Sequence, residues 1–149
     1  IRMLSDLFAA EQRSLSDQFT RPLADRVSGY LQQLFGSGAK AEVALIDGQF
    51  KTLMLSRDGV AYDFDLLSGG AREQVAAAFR LAMAEILAAD HDGCLPVVFD
   101  DAFTNSDPSR VQTLQRMLDL AARRGLQVIL LTCDPSDYTS LGAATISMA

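Results

Sequence analysis

Along this chain the spacing of apolar positions changes from one segment to the next. Through residues 2–35, Leu4, Phe8, Leu15, Phe19, Leu23, Val27, Tyr30, Leu31 and Leu34 recur at helical spacing on a polar background. One long helix or two are predicted. Pro22 should kink or break the run, because proline removes a backbone donor and restricts Arg21 before it. Gly36 and Gly38 in "FGSGAK" then supply the stop.

From 41 to 64 the period shortens. Asp47-Gly48 and Asp58-Gly59 each stand between strand-like runs, and Val60, Tyr62 and Phe64 alternate with Ala61 and Asp63. An antiparallel meander of three strands is the simplest outcome. "AREQVAAAFRLAMAEILAAD" returns to helical spacing over about 19 residues, roughly 28 Å at the standard rise. After Gln74 its only charged side chains before Asp90 are Arg80 and Glu85, so most of its sides should be covered. "CLPVVFDD" reads as a strand buried on both faces of a parallel sheet, ending in two aspartates.

A third helix is well punctuated. Asp107 is its N-cap, Pro108 its first position, and Val111, Leu114, Leu118 and Ala121 form one stripe; Arg123 and Arg124 fill the last turn before Gly125. "LQVILLT" predicts a second buried strand and "AATISM" a last one. The order of elements in the C-terminal part makes it α/β.

Composition narrows the partners. With 149 residues, 49% of them hydrophobic, one domain with a real core is expected. A net charge of -6 argues against a module that simply coats nucleic acid, which needs clustered Lys and Arg. Arg13, Arg21, Arg26, Arg123 and Arg124 are scattered, and read as solvated or dipole-complementing charges. Cys94 and Cys133 both lie beside apolar runs and His91 is the only histidine, which suits a reduced cytoplasmic protein without structural zinc. Cys133 reads as a small buried hydrophobe. No apolar run is long enough for a membrane span and no signal peptide stands at the start. The opening "IRMLSDLFAA" lacks an initiator Met, which suggests a piece of something longer.

Two features offer chemistry. Ser68, Gly69 and Gly70 stand between a strand end and a helix, where backbone can approach a ligand closely and unpaired N–H groups attract an anion, a phosphate being the obvious one. Taken alone, "LSGG" is equally a glycine turn before a helix. Asp100 and Asp101 end an apolar strand, at the edge of an α/β sheet where ligands sit; they could also merely cap the next turn. Order and spacing add weight: a glycine turn, a covered helix, an apolar strand ending in two carboxylates, a polar "AFTNSD" loop, and another apolar strand ending at Thr132.

That pattern resembles the C-terminal lobe of the ABC-type ATPase head, over nearly everything from Leu66 to Pro135. Leu67-Ser68-Gly69-Gly70 matches the signature motif, "LPVVFDD" matches Walker B, and "FTNSD" ending at Asp107 matches the D-loop. The wide gap from signature to Walker B and the long first helix look more like the SMC and SbcC-like coiled-coil ATPases of DNA repair and chromosome maintenance. The resemblance implies residues 1–35 as the end of a coiled coil entering the head, although an ordinary packing helix fits them too, and 36–149 as the ATPase lobe. It further implies that Asp100 holds Mg²⁺, that Asp101 occupies the water-polarising position, and that Ser68, Gly69 and Gly70 cap the γ-phosphate of an ATP bound mainly by another subunit, with Asp107 at the dimer seam. Expected partners are an N-terminal lobe carrying Walker A, a second head, and DNA; a nuclease subunit is left open, as is association with the nucleoid.

Three departures qualify the resemblance. Asp101 stands where the family usually has Glu, so hydrolysis should be slow. "LLTCDPSDY" puts Cys133 or Asp134 at the switch position, normally a histidine, and an ionised Asp134 would repel phosphate. No G-x-x-x-x-G-K-[ST] loop occurs, so the P-loop lysine must come from the other lobe. Behind the ATPase reading stand a nucleotide-gated dimerisation module that scarcely hydrolyses ATP, and a fragment of a transporter ATPase. An exposed apolar face is expected where the missing lobe would dock.

Overall fold

The computed structural model describes residues 2–46, 49–93, 95–103 and 107–148. Along them run α1 (Arg2–Phe35), β1 (Lys40–Ile46), β2 (Gln49–Arg57), β3 (Val60–Asp63), α2 (Gly69–Ala88), β4 (Val97–Asp100), α3 (Pro108–Arg123) and β5 (Val128–Leu131), with 3₁₀ turns at Phe64–Leu66 and Pro135–Leu141.

The first helix is continuous through Pro22. Proline deprives the Gln18 carbonyl of its intrahelical partner, but both residues are exposed, so solvent can take that bond and the helix need not end. Beyond Pro22, Leu23, Val27, Tyr30 and Leu31 are buried against β1, α2 and α3. Ser28 ties α1 to the first sheet: its hydroxyl donates to the Ala24 carbonyl at 2.7 Å and accepts the Ala41 N–H at 2.9 Å. In the N-terminal half Leu7 is exposed; the side chains of Leu4, Phe8, Leu15 and Phe19 lie outside the described ones.

The meander is as the sequence predicts. β1, β2 and β3 pair antiparallel in chain order, with a bulge between Ala44 and Leu45. Asp58 and Gly59 take φ of 52° and 78°, the two left-handed residues that a tight hairpin turn requires. The Asp47-Gly48 turn and Cys94 lie outside the described residues.

The three helices meet along α1, against which both α2 and α3 pack. In α2 the alanines Ala77, Ala78, Ala82 and Ala84 are buried with Val75 and Leu81, and such small side chains let a neighbouring helix come close. On α3 the predicted stripe of Val111, Leu114, Leu118 and Ala121 is buried, joined by Met117. Gly125, at φ 94°, ends α3 in the left-handed conformation that glycine adopts without strain.

Two predictions about strands need correction. β4 and β5 do pair in parallel, from Val97 opposite Val128 to Asp100 opposite Leu131, but they are not buried on both faces. Val97 and Phe99 point into the core while Val98 is 50% and Ile129 37% exposed. The helices cover one face, and among the described residues nothing covers the apolar second face. "AATISM" forms no strand: residues 143–148 are irregular and exposed, and no strand among the described residues pairs with them. Cys133, expected to be buried, is an exposed free thiol, because β5 ends at Leu131 and the chain turns outward there.

Candidate nucleotide-binding site

Ser68 is the N-cap of α2, its hydroxyl accepting the Ala71 N–H at 3.4 Å. Gly69 and Gly70 are the first residues of the helix itself, so they do not make the left-handed turn that a glycine pair suggests. Gly70 serves space instead. A Cβ built there would lie 2.4 Å from Nη1 of Arg110, whereas one on Gly69 would meet nothing within 4 Å. Ser68 and Gly69 are exposed, and the first N–H groups of any helix lack intrahelical acceptors. The turn is therefore an open donor array with the positive end of the helix dipole behind it.

Arg110 joins this array to the start of α3. Its Nε lies 3.0 Å from a carboxylate oxygen of Asp107, the N-cap of that helix. The other Asp107 oxygen accepts from the Ser109 hydroxyl at 2.5 Å and the Arg110 N–H at 3.0 Å. The Ser109 hydroxyl first, then the Arg110 amide, holds the Asp107 carboxyl below the usual carboxylate range. Thr104, Asn105 and Ser106 of the expected D-loop lie outside the described residues.

At the end of β4, Asp100 and Asp101 are both exposed. The turn that follows is unusual: Asp101 has φ 45° and Phe103 φ 73°, uncommon for aspartate and an outlier for a bulky side chain. Phe103 is buried, its ring 5.5 Å from that of Phe99. Three hydrogen bonds hold the turn. Asp101 N–H donates to the Leu131 carbonyl at 2.9 Å, Phe103 N–H to Glu73 Oε1 at 3.1 Å, and the Tyr138 hydroxyl to the Ala102 carbonyl at 3.3 Å. Burial, reinforced by the negative charges of Asp137, Glu73 and Asp101, pushes the Tyr138 hydroxyl above its ordinary pKa.

Because Leu131 is opposite Asp100, the chain leaves β5 toward the two switch candidates on the edge where Asp101 sits. Asp134 caps the 3₁₀ turn Pro135–Leu141, accepting from the Ser136 amide at 3.0 Å and its hydroxyl at 2.5 Å. Those bonds, the hydroxyl's first, keep it ionised to lower pH than usual. Among the described residues no three metal-ligating side chains come together. Mg²⁺ nevertheless suits Asp100, since it keeps several waters and commonly takes only one or two carboxylates besides phosphate oxygens.

Sequence reasoning missed Glu73, Arg110 and Tyr138. A glutamate one turn inside a helix with few charged residues was the available signal for the first.

No family model matches the chain. It is 29% identical over 143 residues to the uncharacterized protein Rv1278 of Mycobacterium tuberculosis, covering 96% of this chain and 16% of that one. With the uncharacterized protein YhaN of Bacillus subtilis it shares 28% identity over 116 residues, 78% of this chain and 11% of the relative. The chain thus spans less than a fifth of either relative's length. Among solved structures, the SMC head domain from Thermotoga maritima superposes with TM-score 0.61 at 18% identity, covering 83% of this chain and 41% of that one. An Smc head bound to the C-terminal winged-helix domain of ScpA gives 0.62 at 17% identity, covering 80% and 36%. A structure from work on ATP-driven dimerization and DNA-stimulated activation of SMC ATPases gives 0.60 at 16%, covering 79% and 71%. The fold is therefore that of an SMC-type ATPase head. Within it, this chain has the architecture of the C-terminal lobe.

Proposed function

We propose that this chain is the C-terminal half of an ATP-binding and ATP-hydrolysing head, whose engagement with a second head is driven by ATP and serves DNA repair or chromosome maintenance. The observation that carries the reading is the open start of α2 at Ser68–Gly70, in a fold shared with SMC heads. Residues 36–149 are the ATPase lobe and α1 is the end of a coiled coil. Ser68 and the Gly69 and Gly70 amides contact the γ-phosphate of an ATP held by the opposing head, and Asp107 lies at the seam between them. Asp100 holds Mg²⁺, which when bound neutralises charge on the β- and γ-phosphates. Asp101 orients and polarises the attacking water.

The exposed apolar face of β4 and β5 receives the lobe that carries Walker A, and the sheet continues into it. DNA contact falls to other parts of the protein. Arg26, Arg123 and Arg124, read from sequence as solvated charges or complements to a helix dipole, are engaged in ion pairs with Glu85 or Asp119. No helix among the described residues is long and apolar enough to cross a membrane, which gives a transporter ATPase no added support.

A second reading, ATP binding with little turnover, draws support from Asp134: it is committed to Ser136 and offers a switch position no imidazole. Both readings are tested on the whole protein by following phosphate release. Release that Asp101→Asn abolishes supports the ATPase; ATP-driven dimers without release support the second reading.

A further inference from the structure

The turn at residues 101–103 is held from three directions, and one of them is unexpected. Two of its bonds come from β5 and the segment after it, next to β4 in the sheet. The third comes from Glu73, on the helix that starts at Ser68. The turn needs such support, because left-handed φ at Asp101 and Phe103 is strained and persists only where surrounding contacts hold it. Buried Phe103 anchors one side, and the Glu73 carboxylate occupies the one amide that the anchored residue presents.

We infer that Glu73 is a positioning residue for Asp101: through the Phe103 N–H it fixes the turn that aims the Asp101 carboxylate. The inference rests on the reading of Asp101 as the water-polarising group. It adds a physical link between two nucleotide sites, since the helix whose start meets one head's γ-phosphate also sets the turn that serves the other. One hydrogen bond of 3.1 Å joins helix and turn.

What Glu73 must supply is an acceptor at the right reach, and its charge is secondary. Three variants of the whole protein separate these. Glu73→Ala removes the acceptor. Glu73→Asp keeps the charge on a side chain one methylene too short for the amide. Glu73→Gln keeps the reach and an acceptor oxygen but loses the charge. The expected result is a kcat for phosphate release lowered about 10- to 100-fold in the Ala and Asp variants, with KM for ATP and ATP-driven dimerisation unchanged. The Gln variant should recover the parent kcat. Hydrogen exchange across residues 99–103, measured on the same proteins without nucleotide, should be faster in the Ala and Asp variants and restored in the Gln variant.

Equal kcat and equal exchange in all variants overturns the inference. So does a loss in Gln as large as in Asp, which would make charge the relevant property. If the parent protein releases no phosphate, the ATPase reading fails, and the exchange pattern alone decides whether Glu73 holds the turn.

Discussion

The two ends of α2 are built on opposite principles. Toward its C-terminus, Glu85 is enclosed: Arg26 of α1 lies 3.4 Å from one carboxylate oxygen, Arg124 after α3 lies 3.2 Å from the other, and the buried Tyr30 hydroxyl donates to it. The Arg124 guanidinium also stacks over the Tyr30 ring, 5.0 Å from its centroid. At the N-terminus Ser68 and Gly69 are exposed, and Gly70 is shaped by Arg110. One end is tied to the other two helices. The other offers donors and has spent only one of them on its own cap. On the proposed function, stability and ligand chemistry are thus separated by the length of one helix, and mutations at the two ends should fail in different ways.

The largest effect follows from the proposed role of Asp101. If its carboxylate polarises the attacking water, Asp101→Asn should lower phosphate release on the order of 100-fold or more, with the melting temperature unchanged. A matching loss of stability would mean that Asp101 is a structural residue. Next comes Glu85→Ala, which strands Tyr30 and two guanidinium groups and should cost about 2 kcal/mol, read by denaturant unfolding. The arginines are more than a third exposed, and water takes over part of their loss.

Tyr30 adds a pH signature to the same end. Burial, then the hydrogen bond to Glu85 and its charge, raise the Tyr30 pKa well above the ordinary value of 10. A raised folded-state pKa means that this stability is fully present below pH 10 and declines as pH rises toward the folded value. The loss should approach about 1.4 kcal/mol per pH unit above 10, and should vanish in Tyr30→Phe. The smallest change is expected from Gly70→Ala. Its Cβ meets only the far end of a flexible side chain, so Arg110 swings aside and stability moves by less than about 1 kcal/mol. A marked destabilisation would show that Gly70 serves the fold, against the separation of roles between the two ends of α2.

Much of this was legible beforehand, for identifiable reasons. Asp107, Pro108 and Gly125 punctuate α3 by local rules that packing did not override. Asp58-Gly59 needed only its own backbone preference. The failures were non-local. Pro22 does not break α1, because the packing of Leu23 to Leu31 beyond it outweighs one lost hydrogen bond. β4 looked buried on both faces because apolar composition reports what a strand wants covered, and its second face has no cover among the described residues. Glu73, Arg110 and Tyr138 act across 30 to 40 positions or through space, at separations where no periodicity speaks.

The central claim is that the start of α2 is a phosphate site used between two heads. The direct test is ATP-driven dimerisation of the whole protein, followed by light scattering, for the parent and for Ser68→Arg. The account predicts ATP-dependent dimers in the parent and monomers at the same ATP concentration in the variant, both with the same melting temperature. Dimers that form equally well with arginine at position 68 would contradict it.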